Sequence, residues 1–318
     1  MPITQPAGHQ DFVEVLHESE THVDIPVLTQ LCLSGAMPAK FRAETWRYFL
    51  GVSRAEKLEE MSTVKRMAQE YVELERVWAL SLDADVIRRV RHDIRRYHQA
   101  GTDQSRETAS ANSRVHMEQV ILRYLNYHPR EYTRGLVHLL GPFVHVYATE
   151  REMYYCFEAL LSRLDDRLSD EGCLEVMVSF NTIFRHTLPE LYRYFEDESV
   201  SAKDWLLPWL RFLLAKELPV QSVLKLWDVY FAHEQQASHG AYFELHPYVC
   251  LAILQLSIED LLELDHTEIH WYFRIPKPLF GSCPGFGLVR IRMSLLSRAA
   301  THSYSHQMKF YLSTNSIR

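Results

Sequence analysis

The chain contains 318 residues, of which 47% are hydrophobic and 24% are charged. This composition is typical of a globular protein with enough length for one large domain or two fused halves, and it excludes a disordered or fibrous chain. Residues 1–268 hold all 41 acidic and 27 basic residues, a net charge of −14, whereas residues 269–318 carry +7. The basic residues of this tail are scattered, which favours a solvated face docked on the acidic body over a nucleic-acid, lipid or other polyanion site.

The cysteine content and the segments at the two ends of the chain indicate the cellular compartment of the protein. The five cysteines are odd in number and lack CxxC spacing, which argues against a disulfide framework or a zinc ribbon. The first residues lack the basic start and apolar run of a signal peptide, no apolar stretch is long enough for a bilayer, and neither end carries a lipidation motif. We therefore expect a cytoplasmic protein.

Apolar residues recur at three- and four-residue spacing along most of the chain, which predicts amphipathic helices. In chain order, the pattern is clearest in VHMEQVILRYLNYH (115–128), REMYYCFEALLSRL (151–164), DWLLPWLRFLLAKEL (204–218) and YVCLAILQLSIEDLLEL (248–264). Strand alternation is hard to find, and the whole chain has only 11 glycines. The predicted fold class is all-α.

Two polar stretches are predicted to connect helices. AGTDQSRETASANSR, residues 100–114, has no large apolar side chain and is interpreted as a solvated connector, with a gate or recognition loop as the alternative. EQQASHG, residues 234–240, separates two apolar helices. No internal repeat of fixed period is present, which argues against a helical solenoid.

Motifs for metal or nucleotide binding are incomplete. His233 begins HEQQA where a zinc protease has HExxH, and a threonine between His266 and His270 replaces the glutamate base. The chain has no GxxxxGK[ST] phosphate loop and no GxSxG elbow, and GSCPGFG at 281–287 lacks the context of a dinucleotide fingerprint. The sequence therefore predicts no metal site and no cofactor of its own.

The stretch VRHDIRRYH, residues 90–98, surrounds Asp93 with arginines. Arg96 lies three residues after Asp93, on the same face of a helix, so the carboxylate can hold the guanidinium in one direction. From these residues alone, an ordinary intrahelical ion pair worth about 0.2–0.5 kcal/mol is the simpler interpretation. An aimed catalytic cation is the alternative.

Four stretches, in order, resemble the TBC domain, the helical GTPase-activating domain for Rab-family small GTPases. GAMPAKFRAETWRYFLG (35–51) is similar to the opening G-x-P...R...W...LLG block, and VRHDIRR (90–96) to the IxxDxxR block. YLNYHPREYTRGL (124–136) lies where the family has AY...NP...GYxQGM. WLRFLLAKELPVQSVLKLWD (209–228) is similar to the late block with an aromatic helix, a Glu-Leu-Pro turn and a Trp-Asp pair.

The resemblance covers about residues 31–278 and implies a V-shaped, two-lobed helical domain with the GTPase docked in its groove. It divides the chain into an N-terminal extension (1–30), lobes at about 31–195 and 196–278, and a basic C-terminal extension (279–318) that packs on the domain.

The first and fourth blocks are interpreted as structural. Trp46, Phe49 and Leu50 share one face of a predicted helix, and buried aromatics of this kind are typical of a core. Asp228 is expected to bond to backbone or to an arginine.

The resemblance implies that Arg96 is a catalytic arginine finger. An arginine supplied in trans stabilises the charge that develops on the β and γ phosphate oxygens and raises the hydrolysis rate by about three to five powers of ten. Asp93, one turn earlier, would fix the direction of the Arg96 guanidinium. GTP and Mg²⁺ would be bound by the partner GTPase.

The third block departs from the family pattern, because Tyr132 is followed by Thr133 and Arg134 where the family has YxQ. The family's glutamine positions the attacking water, whereas an arginine has only donors and cannot accept a proton from it. Arg134 is then a second cationic finger beside the GTPase's own glutamine, or the protein binds a GTPase without accelerating hydrolysis. A third alternative is that Gln99 or Gln119 takes the role.

Two main hypotheses follow. The first is an activator of a Rab-family GTPase, active in vesicle trafficking, that uses Arg96 and Asp93 with Tyr132 and Arg134. The second is a catalytically weak TBC module that binds a small GTPase or acts as a scaffold subunit of a larger complex. Neither requires nucleic acid, and both would reach endomembranes only indirectly, through the GTPase. A generic all-α interaction protein without a GTPase partner is the third alternative.

Overall fold

The computed structural model is helical over the residues that it describes, which are 9–19, 21–35, 37–78, 82–99, 111–128, 130–165, 169–236 and 243–274. In chain order the elements are α1 (His9–Val13), a π-helical segment (Glu14–Glu18), α2 (Ile25–Ser34), α3 (Ala39–Phe49), a 3₁₀ turn (Lys57–Glu59), α4 (Glu60–Trp78), α5 (Ala84–Gln99), α6 (Ala111–Tyr127), α7 (Gly135–Val146), α8 (Glu150–Arg163), α9 (Asp170–Thr187), α10 (Pro189–Asp197), α11 (Ala202–Phe212), α12 (Val220–Glu234), α13 (His246–Leu256), α14 (Ile258–Leu261) and α15 (His266–Arg274). The described ranges contain no β-strand, only an isolated bridge between His22 and Glu56. The all-α prediction is confirmed. Of these helices, none has both the length and the apolar character needed to cross a membrane.

Side-chain caps explain where several of the helices begin. Asp24 accepts a hydrogen bond from the Val27 amide at 3.0 Å before α2, and Ser169 accepts one from the Gly172 amide at 3.1 Å before α9. Thr149 caps α8 in the same way. Each cap satisfies an amide that the first helical turn leaves without an intrahelical partner.

The predicted core residues of the first block are buried. Trp46, on α3, packs edge-to-face on Phe143 of α7 and on Phe231 of α12, with ring centroids 5.6 Å and 5.0 Å apart. Phe49 and Leu50 are also buried. The structural interpretation of this block is therefore confirmed, and its aromatic residues join α3, α7 and α12.

A buried ion pair links the first and fourth blocks. Arg42 donates to the two carboxylate oxygens of Asp228 at 2.9 Å and 2.8 Å, and the Trp46 indole donates to the same group at 2.8 Å. Burial raises the pKa of Asp228, while the hydrogen bonds and charge of Arg42 oppose that rise. The expectation that Asp228 bonds an arginine is confirmed.

The structure differs from the sequence prediction at several helix ends. Helix α6 begins at Ala111, so residues 111–114 of the predicted connector are helical; residues 100–110 lie outside the described ranges. Glu234 belongs to α12, and residues 237–240 of the second loop are outside the description, as is the extension at 279–318. The apolar pattern continues to residue 218, yet α11 ends at Phe212.

Candidate functional site

Helix α5 presents a cationic outer face. Val90 and Ile94 are buried against the domain, where α5 packs on α6 and α7. The arginines on the rest of α5 are exposed, and they are Arg88, Arg89, Arg91, Arg95 and Arg96. Two of them are already paired with acids, since Arg88 contacts Asp85 and Arg91 contacts Glu118.

Asp93 joins α5 to the segment before α7. The Tyr132 hydroxyl donates to Oδ2 of Asp93 at 3.0 Å, and Nε of Arg134 lies 3.6 Å from Oδ1. Nδ1 of His92 is 3.4 Å from the same Oδ1. The Asp93 side chain is 14% exposed and that of Arg134 is 50% exposed, so the carboxylate lies beneath the guanidinium.

Arg96 lies outside this bonded cluster. It is exposed and has no hydrogen bond or ion pair with any residue that the structure describes. The expected pair between Asp93 and Arg96 is therefore wrong. The pair is absent because Tyr132 and Arg134, which come from another segment, contact the two carboxylate oxygens of Asp93. The Arg96 side chain is exposed to solvent instead.

Tyr132 is fixed from two sides. Nη2 of Arg89 is 3.4 Å from the Tyr132 carbonyl oxygen, and the Arg89 guanidinium lies 5.4 Å from the centre of the Tyr132 ring. Burial, followed by the charge of Asp93, raises the pKa of the Tyr132 phenol well above its ordinary value. The phenol therefore stays protonated and donates to the carboxylate. Sequence reasoning missed Arg89, although its position four residues before Asp93 on one helix face was a usable signal.

The start of α7 is packed tightly against the end of α11. A Cβ at Gly135 would overlap the ring of Phe212, so this position accepts only glycine without rearrangement. His138, one turn further along α7, packs edge-to-face on Tyr97 of α5 with ring centroids 5.6 Å apart. Burial, followed by the charges of Lys216 and Arg134, lowers the pKa of His138 to about 4, while the charge of Asp93 opposes this shift. A neutral imidazole thus lies near two cations.

Lys216 and His138 were also missed by the sequence reasoning. Lys216 lies in the Glu-Leu-Pro block that carries part of the resemblance, but only the folded chain brings it close enough for its charge to act on His138. The alternatives Gln99 and Gln119 lie at the end of α5 and within α6, and neither has a hydrogen bond to the described residues of the Asp93 cluster. In the described ranges, no group of three or more His, Cys, Asp or Glu side chains is arranged to hold a metal ion.

The order of these sites along the chain matches a known domain. The sequence profile of the Rab-GTPase-TBC domain matches residues 39–262, from α3 to the turn after α14. The chain belongs to this family. The resemblance drawn from the four blocks is confirmed, and α1, α2 and α15 lie outside the match.

Individual relatives are distant from this TBC domain protein. Human TBC1 domain family member 13 is 26% identical over 168 residues, which cover 48% of this chain and 40% of that protein. The GTPase-activating protein gyp1 of Schizosaccharomyces pombe is 21% identical over 280 residues, which cover 78% of this chain and 53% of that protein. The chain thus spans about half the length, or less, of these two curated relatives.

Two solved structures share the TBC fold. The crystal structure of the Ypt/Rab-GAP domain of Gyp1p has a TM-score of 0.74 at 19% identity and covers 93% of this chain and 97% of its own. The Chlamydomonas flagellar RabGAP TBC domain has a TM-score of 0.66 at 17% identity and covers 90% and 88%. At these identities the likeness concerns the fold alone.

Proposed function

We propose that this TBC domain activates GTP hydrolysis by a Rab-family small GTPase and supplies Arg96 in trans. The observation that carries the proposal is the contrast on α5: Arg96 is exposed without a described partner, whereas Asp93 accepts a hydrogen bond from Tyr132 and forms an ion pair with Arg134. A guanidinium that pairs with none of the described residues has no ion pair with them to break before it binds a phosphate oxygen. The similarity to gyp1, a GTPase-activating protein, and to the Ypt/Rab-GAP domain of Gyp1p supports the same class of partner.

In this proposal Arg96 stabilises the negative charge that develops on the β and γ phosphate oxygens during hydrolysis. The bound GTPase provides GTP, Mg²⁺ and the binding pocket, and the TBC domain excludes water around the arginine. Arg134 is the second cation of the site. Its ion pair with Asp93 restricts the side chain in advance, which lowers the entropy lost when it meets the nucleotide.

Arg134 does not position the attacking water. Its guanidinium has five N–H donors and no acceptor, so it cannot accept a proton from water as a glutamine carbonyl does. The glutamine of the GTPase itself therefore positions that water. This division of roles makes the activator dependent on its partner's glutamine.

The second candidate is a GTPase-binding module with little or no activating effect, alone or as part of a larger complex. The ion pair between Arg134 and Asp93 favours it, because the carboxylate offsets the positive charge of Arg134. Under both candidates the protein acts in the cytoplasm and reaches endomembranes through the GTPase.

Nucleotide-dependent binding distinguishes a site built for the transition state from a simple docking surface. A panel of Rab-family GTPases is loaded with GDP or with GDP and aluminium fluoride, and binding to the full chain is measured for each state. Tighter binding to the aluminium fluoride state, lost in Arg96→Ala, supports activation. Equal affinity for both states supports the binding module, and no binding to any member contradicts both candidates.

A further inference from the structure

The turn between α11 and α12 has an unusual backbone. Leu213 and Leu214 both have left-handed conformations, with φ of 49° and 60°, and both side chains are fully buried. Two successive leucines in this region are energetically unfavourable, and such strain is retained where the surrounding structure fixes it. Here the Leu214 amide bonds to the Trp209 carbonyl, and the Trp227 indole lies 3.3 Å from the Leu213 carbonyl oxygen.

Lys216 and Glu217, which follow the left-handed pair after Ala215, lie in different environments. Glu217 is buried, and its Oε2 has no hydrogen-bond partner among the described residues. Lys216 is exposed and makes no hydrogen bond or ion pair with any part of the chain that the structure describes. The turn is therefore followed by a buried acidic side chain and by an exposed lysine that is unpaired within the described ranges.

The same turn lies beside the candidate site. Phe212, the residue before the turn, contacts Gly135 so closely that no Cβ fits there, and Gly135 directly follows Arg134. The charges of Lys216 and Arg134 both lower the pKa of His138, which is consistent with the contact of Phe212 with Gly135 in placing the two cations near the same imidazole. Lys216 is thus a cation of the site that comes from a different sequence block than Arg96 and Arg134.

We propose that Lys216 is a specificity-determining residue that binds a carboxylate on the surface of the GTPase, beside its nucleotide. This inference rests on the proposed function. Two features favour a protein carboxylate over a phosphate oxygen. The charge of Lys216 acts on His138, and His138 is one helical turn along α7 from Arg134. Arg96, which is proposed to bind the phosphate oxygens, is on a different helix, α5. In addition, a lysine ammonium is a flexible, hydrated point charge that suits a partly solvated ion pair at an interface rim.

Steady-state activation kinetics test this role. GTP hydrolysis is measured for the Rab-family panel at increasing GTPase concentration, at low and high salt, with the full chain, Lys216→Ala, Lys216→Glu and Lys203→Glu. Lys203 is an exposed lysine in the first turn of α11, at the opposite end of that helix, and serves as the matched charge-reversal control. Circular dichroism confirms that each variant is folded.

We expect Lys216→Ala to raise KM about tenfold for the preferred GTPase, with kcat unchanged. Lys216→Glu raises KM further and weakens the salt dependence of KM, while Lys203→Glu stays within about twofold of the unaltered chain. Replacing the contacted acidic residue of the GTPase by lysine restores activity with Lys216→Glu, which a merely structural lysine would not allow.

Three outcomes overturn the inference. A loss of kcat at constant KM places Lys216 on the nucleotide. Equal behaviour of Lys216→Glu and Lys203→Glu makes Lys216 an ordinary solvated lysine, while the proposed function stands because the unaltered chain is active. No activation and no binding by the unaltered chain contradicts the proposed function together with this inference.

Discussion

The Tyr132 hydroxyl donates to Oδ2 of Asp93 at 3.0 Å, and this hydrogen bond joins two motifs that are 39 residues apart in the sequence. This hydrogen bond identifies Tyr132 as the residue that Asp93 holds in place. The carboxylate fixes the segment that carries Arg134, while Arg96 on the same helix as Asp93 has no described partner. Arg134 is therefore held by an ion pair, whereas no described residue holds Arg96. We expect substitutions of the two arginines to have different consequences.

Removing the Tyr132 hydroxyl tests the link between α5 and this segment. Tyr132→Phe is expected to lower the free energy of unfolding by about 1.5 kcal/mol, because the Asp93 carboxylate loses a donor. Activation falls as well, since Arg134 is less well positioned. Urea unfolding and single-turnover hydrolysis measure the two effects. Tyr127→Phe, at an exposed tyrosine on α6, is the control, and equal effects of both substitutions would contradict the assigned role.

Arg134→Gln restores an acceptor at the position where the family has glutamine. The unaltered chain is expected to lose at least about tenfold of its activation on a GTPase whose own glutamine is replaced by leucine, because no group then accepts a proton from water. Arg134→Gln recovers activation on that GTPase, whereas Arg134→Ala does not. If the unaltered chain activates both forms of the GTPase equally, then another residue of this chain positions the water.

The buried pair of Arg42 and Asp228 controls stability rather than catalysis. Asp228→Asn leaves the Arg42 guanidinium buried without its counter-charge and is expected to cost about 3–5 kcal/mol of unfolding free energy. Replacing both residues, as Arg42→Met with Asp228→Leu, recovers much of this loss because no charge remains buried. Chemical denaturation of the three variants measures the difference. A double variant no more stable than Asp228→Asn would contradict this account.

Glu217 gives the fold a defined pH dependence. Burial raises the pKa of Glu217 to about 7 from its ordinary value of 4.5, so the folded chain holds a proton that the unfolded chain releases between these values. The stabilisation is fully present below pH 4.5 and is lost as pH rises through 7, by at most about 3 kcal/mol.

The substitution Glu217→Gln removes this titration. Its free energy of unfolding therefore changes less between pH 5 and pH 8 than that of the unaltered chain, as urea denaturation at the two pH values measures. Glu175→Gln, at an exposed position on α9, keeps the pH dependence of the unaltered chain. An unchanged pH dependence in Glu217→Gln would show that Glu217 does not titrate in this range.

Local patterns predicted much of the fold because they act within one helix. The apolar spacing in residues 115–128 predicted the helix that is α6, and the aromatic residues around Trp46 predicted the core. The end of α11 was not predictable in this way. Leu213 and Leu214 continue the apolar pattern, but burial against the Trp227 region favours a left-handed turn over two more helical residues.

The site was predicted less completely, because its contacts depend on tertiary packing. The spacing of Asp93 and Arg96 is correct for an intrahelical pair, yet Tyr132 and Arg134 compete for the carboxylate and prevail. The contact of Phe212 with Gly135, which brings the end of α11 and the turn before Lys216 to the start of α7, joins residues far apart in the sequence. No periodicity within one helix contains that information.

Single-turnover GTP hydrolysis shows whether Arg96 acts as the arginine finger. The panel of Rab-family GTPases is measured with the unaltered chain, Arg96→Ala and Arg95→Ala, the last being the adjacent exposed arginine on the same helix. We expect acceleration of at least one GTPase, a loss of about three powers of ten in Arg96→Ala, and a change within about twofold in Arg95→Ala. Full acceleration by Arg96→Ala would contradict this role.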